Sequence, residues 1–158
     1  MIVVVMGVSG AGKTTIGRKL AERLEWRFLD ADDYHPPQNV AKMARGIALE
    51  DEDRWPWLDQ LNAILKKEDH AIIACSALKE AYRRRLLAGI AQATIVHLHG
   101  SKALIASRLA ARQHRYMPAT LLDSQLATLE PPANAITVDI AHDPERCVEA
   151  ILRALHAR

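Results

Sequence analysis

The run Gly7-Val8-Ser9-Gly10-Ala11-Gly12-Lys13-Thr14 constrains this chain more than any other stretch. It completes the pattern G-x-x-x-x-G-K-[ST], and it sits where that pattern has physical meaning. Upstream, Ile2–Met6 is a continuous apolar run rich in β-branched residues, as a strand covered on both faces requires. Downstream, Ile16, Leu20 and Leu24 recur at helical spacing over Lys13–Leu24. Strand, glycine turn and helix in that order make a phosphate-binding loop. The glycines let backbone N–H groups, those of Val8, Ser9 and Ala11 included, turn inward and approach phosphates closely. The helix N-terminus, through Thr15, adds donors and the positive end of its dipole. Lys13 neutralises the β- and γ-phosphates and acts in catalysis, and the Thr14 hydroxyl ligates Mg²⁺. The ligands expected are therefore ATP and Mg²⁺. The glycine spacing is not G-x-G-x-x-G, which disfavours a dinucleotide, and the guanine-specific N-K-x-D pattern is absent. A small-molecule kinase is favoured over a switch or a motor.

Further short apolar runs at Arg27–Asp30, Ala71–Cys75, Thr94–Leu98 and Ile136–Ile140 read as strands, and helical patterns separate them. Asp143 and Pro144 open a last helix whose apolar face is Val148, Ile151, Leu152 and Leu155. Such alternation predicts an α/β fold: a single domain over residues 1–158, three layers α/β/α, a five-stranded mainly parallel sheet and a small helical lid near 112–130. Ligands should sit outside the carboxyl ends of the strands. Net charge is only +2 and aromatics are 4%, which argues against a nucleic-acid partner. No apolar run is long enough to span a bilayer, so a cytoplasmic protein with no membrane partner is expected. Cys75 and Cys147 form no C-x-x-C pair and read as core residues.

Acceptor-side chemistry is expected at Asp30 and Asp32, which two-residue alternation would place on one face at the end of the second strand. Asp30 would hold Mg²⁺ through water, and Asp32 would orient and deprotonate an attacking hydroxyl. Arg54 lies among Glu50, Asp51, Glu52 and Asp53, where an ordinary surface ion-pair cluster is an equal alternative. Trp55 and Trp57 read as packing residues. Ser76 reads as a helix N-cap, placing Lys79 in a first turn where a cation opposes the dipole unless an anion is bound. Arg108 and Arg112, at i and i+4, precede Arg115 and the Pro-broken stretch Tyr116-Met117-Pro118, the pattern of a mobile arginine lid, with a basic solvated helix as the alternative. His97 and His99 share a strand face with no third ligand at metal spacing, and both read as structural.

Together these segments resemble the gluconokinase family, small kinases akin to shikimate and adenylate kinases. The likeness runs over essentially the whole chain. It is carried by the phosphate loop, Leu29-Asp30-Ala31-Asp32 with His35-Pro36, Asn39 through Met43, and Asp51-Glu52-Asp53-Arg54 before Trp57-Leu58. Cys75-Ser76-Ala77-Leu78-Lys79 with Tyr82-Arg83, Ser107-Arg108-Leu109 with Arg112, and Leu122-Asp123-Ser124-Gln125 through Leu129-Glu130-Pro131 complete it. The resemblance implies transfer of the ATP γ-phosphate to the 6-hydroxyl of D-gluconate. It implies Asp32 as base, with Arg54, His35, Lys79 and Arg83 around the sugar acid, and Arg54 facing the carboxylate. Arg108 and Arg112 would act on the nucleotide side, and the protein would be a homodimer. Where the family often carries Gly-His-Phe beyond the arginine, this chain reads His114-Arg115-Tyr116, so no role passes to His114 or Arg115. The rival readings are a kinase of shikimate or another sugar acid, and a nucleotide-binding regulator without catalysis. The loop near 139–143 is the candidate for adenine contact by position.

Overall fold

The computed structural model describes residues 1–111 and 121–158. Strand β1 (Ile2–Met6) is buried along its whole length, and its alternate side chains serve two different cores. Val3 and Val5 pack with Ile16 and Leu20 of α1 (Lys13–Leu24), Ile105 and Leu109 of α5 (Lys102–Ala110), and Val148 and Ile151 of α7 (Pro144–His156). Ile2, Val4 and Met6 pack on the other face with Leu58, Leu61 and Leu65 of α3 (Asp51–Leu65) and Leu86 of α4 (Glu80–Leu86). This two-residue alternation splits one apolar run between two helical layers. At about 1.5–3 kcal/mol for each aliphatic side chain fully buried, the two layers supply the main folding force.

Among the described residues, β1 joins β2 (Arg27–Asp30), β3 (Ala71–Ala74), β4 (Ala93–His99) and β5 (Ile136–Asp139) in one sheet ordered β2-β3-β1-β4-β5. Every strand pair is parallel, so the expected "mainly parallel" sheet is wholly so. The strands expected from sequence match within a residue at each end, and Lys13–Leu24 and Arg27–Asp30 coincide with it. The last helix is capped as expected, with the Asp143 side chain accepting from Arg146 N and Pro144 in the first turn.

The strand order decides where a ligand goes. β1 leads into α1 on one face, while neighbouring β3 leads toward α4 on the opposite face. The loops after β1 and β3 therefore diverge and leave a crevice between them, the switch point of a doubly wound sheet. Residues 7–12 and 75–79 border that crevice. α2 (Pro37–Ala44) and α6 (Leu122–Thr128) lie outside the sheet order and belong to the site described next.

Candidate active site

The phosphate loop turns through left-handed backbone at Gly10 (φ 86°) and Gly12 (φ 95°). A Cβ at Gly10 would stand 2.9 Å from Leu109 Cγ, so the loop is seated directly on α5. Lys13 Nζ curls over the loop and donates to the carbonyls of Gly7 (3.0 Å) and Val8 (3.1 Å). Beside it, the Thr14 hydroxyl donates to Asp30 Oδ2 at 3.1 Å. The other Asp30 oxygen accepts Asp32 N at 3.0 Å, capping a 3₁₀ turn over Ala31–Tyr34. Strand alternation thus stops at Asp30. Asp30 stays at the phosphate loop, and it is the turn, not a shared strand face, that carries Asp32 to the acceptor side.

There a cavity of about 370 Å³ opens against the phosphate loop. Ser9 and Lys13 line it toward that loop; Asp32, His35, Arg54, Ser76, Lys79 and Tyr82 line it elsewhere. The His35 ring stacks on Trp57 at 4.0 Å, and Trp57 is held by donating Nε1–H to Ala31 O at 2.8 Å. Asn39 Nδ2 donates to Asp53 O (2.9 Å), which fixes the amide's orientation and makes His35 Nδ1 its second acceptor at 3.3 Å. The other ring nitrogen, Nε2, faces Asp32 Oδ1 at 3.6 Å.

Arg54 lies close enough to Asp51 and Asp53 for its charge to help lower both, and its hydrogen bonds reach further. Its Nη1 donates to Leu49 O (2.8 Å) and to the Tyr82 hydroxyl (3.0 Å), with the guanidinium 4.8 Å over the Tyr82 ring. That hydroxyl in turn donates to Asp51 Oδ1 at 2.5 Å, and Lys79 Nζ lies 3.6 Å from the same oxygen. Burial, reinforced by the Asp51 carboxylate, pushes Tyr82 up to about 12. The Tyr82 hydrogen bond, ahead of Lys79, holds Asp51 below the usual carboxylate range. Asp53 is depressed first by Lys42, whose Nζ lies 2.8 Å away, and then by the Glu50 N–H it caps. Two cations, Arg54 and Lys79, are thus aimed over one aromatic ring at the cavity.

On the far side of α1, a second cavity of about 350 Å³ is lined by Thr15, Arg108, Ile140, His142 and Cys147 among others. Arg108 Nη2 donates to Ile140 O at 2.6 Å, tying α5 to the loop expected from sequence to meet adenine.

A phosphate loop beside an acceptor cavity is shared by many kinases, and comparison with known proteins decides among them. A family model described as shikimate kinase matches residues 9–155. The chain is 46% identical to a probable gluconokinase of Xenopus tropicalis, covering 90% of this chain and 87% of that one. It is 42% identical to a thermosensitive gluconokinase of Escherichia coli, over 94% of this chain and 86% of that one. The chain belongs to the gluconokinase family. The crystal structure of a gluconokinase from Sinorhizobium meliloti superposes with a TM-score of 0.90 at 40% identity, over 98% of this chain and 91% of that one. The wider shikimate kinase model reflects the P-loop kinase fold that gluconokinases share with it.

The helix start expected at Ser76 needs correction, and Arg83 lies away from the cavity. Ser76 does not cap a helix: the chain runs irregularly through 75–78, with Ala77 at φ 43°, and Lys79 itself is the N-cap residue of α4. Lys79 still faces the cavity, but not from a first turn. Arg83 is not among the cavity's lining residues. It is buried, donates to Ala77 O (2.8 Å) and Glu130 O (2.9 Å), and is lowered from the usual arginine range by that burial. These bonds tie it to the loop just before Lys79. Arg112, His114 and Arg115 lie outside the described residues, as does the first part of the expected lid.

Sequence reasoning assigned no role to Tyr82 or to Gln125. Tyr82 is the hinge of the Arg54–Asp51–Lys79 network, and Gln125 contacts the phosphate loop at Ser9. A tyrosine three residues past Lys79 was the available signal for the first; the second joins positions 116 residues apart and left no local trace. His97 is buried, lowered by that burial, and stacked edge-on to His99. Among the described residues no cluster of three metal-capable side chains occurs. Cys75 and Cys147 are both free and buried.

Proposed function

We propose that this gluconokinase-family kinase transfers the γ-phosphoryl group of ATP to the 6-hydroxyl of D-gluconate, giving 6-phosphogluconate and ADP. The observation that carries the proposal is one cavity with Lys13 and Ser9 toward the phosphate loop, and Asp32, Arg54 and Lys79 on its acceptor side. The cavity, about 370 Å³, has room for a six-carbon sugar acid. Arg54 supplies a planar fork for the carboxylate, and the Tyr82 ring beneath it keeps the fork from swinging. Lys79 adds a second positive charge on the same wall. Asp32 lines the same cavity, where it orients the hydroxyl and takes its proton, with His35 Nε2 3.6 Å from its Oδ1. Because phosphoryl transfer is loose, this positioning matters more than base strength.

Thr14 and Asp30 present hard oxygen donors side by side at the loop's end, a set that suits Mg²⁺. When bound there, Mg²⁺ neutralises charge on the nucleotide phosphates. Lys13, held over the loop by the Gly7 and Val8 carbonyls, is released toward the phosphates that replace them. The adenine is assigned to the second cavity, beside Arg108 and the loop through His142. Arg112 is assigned to the transferring phosphate by resemblance. A cytoplasmic homodimer completes the proposal, and light scattering of the purified protein tests its dimeric part. Mg-ATP turnover measured by coupled ADP release with gluconate, shikimate or no acceptor tests the whole: stimulation by gluconate alone supports it, and stimulation by shikimate instead rejects it.

A further inference from the structure

Gln125 lies on α6, outside every role assigned so far, yet its amide meets the phosphate loop at two points. Its Oε1 accepts the Ser9 backbone N–H at 2.7 Å, and its Nε2 donates to Ser9 Oγ at 3.2 Å. Both Ser9 and Gln125 line the acceptor cavity, as do Lys13 and Asp32. The Ser9 N–H is one of the donors of the phosphate loop, and a partly buried N–H of that kind is always satisfied by something. Here a side chain from a different element, 116 residues away in sequence, satisfies it.

Two residues past the end of α6, Glu130 ties the chain to the acceptor side. Glu130 N donates to Leu78 O at 2.8 Å, and Glu130 Oε1 accepts Glu80 N at 2.8 Å. Buried Arg83 bridges Glu130 O and Ala77 O. The segment from Gln125 to Glu130 is therefore a strut. One foot stands on the loop that holds phosphate, the other on the loop that presents Lys79.

We propose that Gln125 is a positioning residue that registers the phosphate loop against the acceptor wall and keeps solvent from Ser9 at the point of phosphoryl transfer. The inference rests on the kinase reading above. Without the amide, water can enter the cavity beside Ser9, next to the transferring group. That water can attack phosphorus in place of the sugar hydroxyl. The P–O bond to ADP then breaks, a P–O bond to water forms, the proton passes to solvent, and the products are ADP and inorganic phosphate. A slack strut also blurs the distance between acceptor and phosphate, and misplacement of about 1 Å lowers turnover roughly 100-fold.

The test measures ADP release and inorganic phosphate together, with and without gluconate, in wild type, Gln125→Ala, Gln125→Met, Ser9→Ala and the Ser9→Ala/Gln125→Ala double variant. Gln125→Met keeps the length and helix propensity but removes the amide, so it serves if the alanine variant folds poorly. The geometry predicts that both Gln125 variants lose about 10- to 100-fold in kcat with gluconate while KM for gluconate stays within about threefold. The share of ADP released as free phosphate rises several-fold, and the double variant is no worse than Gln125→Ala alone. An unchanged phosphate share in both Gln125 variants, or additive losses in the double variant, overturns the proposal. If wild type shows no gluconate stimulation at all, the functional reading fails and takes this inference with it, an outcome visible before any variant is compared.

Discussion

Tyr82→Phe removes one oxygen from the acceptor wall and tests how that wall is built. The hydroxyl accepts from Arg54 at 3.0 Å and donates to Asp51 at 2.5 Å, so its loss strips one charge-assisted bond from each. Such bonds are worth about 1.5–3 kcal/mol when shielded. Here the Asp51 side chain is 42% exposed, so water replaces part of its loss, and Arg54 keeps both the Leu49 carbonyl and the aromatic face. A net destabilisation of about 1–2 kcal/mol follows, or roughly 2–8 °C in Tm for a chain of this size. The larger effect is on binding. A loosened Arg54 must be ordered again by each substrate, at about 1–2 kcal/mol of side-chain entropy, which raises the KM for gluconate roughly 5- to 30-fold. The KM for ATP should stay within about twofold, since Tyr82 touches the acceptor side only. Steady-state kinetics varying each substrate reads this directly. A gluconate KM equal to wild type, with the protein folded, would refute the view that Tyr82 holds Arg54 for the carboxylate.

Asp53→Asn removes the capping-box carboxylate of α3 and costs about 1 kcal/mol at pH 7, the low end of the ion-pair part because solvent reaches it. The folded pKa of Asp53 is depressed, so its stabilisation is present above the ordinary carboxylate value near 4 and is lost as pH falls through the folded value. Urea midpoints of the two proteins should therefore converge below about pH 4; a constant gap down to pH 2 sinks the assignment. Trp57→Phe keeps an aromatic face for His35 but leaves Ala31 O without its 2.8 Å donor. About 1–3 kcal/mol should be lost by urea denaturation, and no loss would mean that another donor satisfies that carbonyl. Gly10→Ala forces a side chain into φ 86° and against Leu109, and should lower stability by about 1–2 kcal/mol, read by thermal melting in the absence of nucleotide.

The strands were legible because each carries a local signal: β1 is one unbroken apolar run, α1 carries a helical stripe, and α7 carries a stripe with a cap. The phosphate loop was legible for the same reason, since its residues are contiguous. Asp32 was expected to reach the cavity by a strand geometry that the structure does not have. Alternation holds only while the chain stays extended, and the Asp30 side chain ends the strand by capping a turn. Ser76 misled in a similar way, because a cap needs a helix that begins at the next residue, and α4 begins at Glu80. Arg83 was placed at the sugar acid by family resemblance alone; its partners in the structure are two main-chain carbonyls that no sequence pattern announces. The Gln125–Ser9 contact and the Tyr82–Arg54 contact are tertiary, and periodicity carries no information about them.

The claim at the centre is that one carboxylate, Asp32, orients a sugar-acid hydroxyl beside a phosphate loop. Coupled ADP release under Mg-ATP, with gluconate present and absent, in wild type and Asp32→Ala, tests it most directly. The geometry predicts strong stimulation by gluconate in wild type, and a loss of about 100-fold or more in Asp32→Ala while ATP binding stays near wild type. Full gluconate-dependent turnover in the folded Asp32→Ala protein would contradict it.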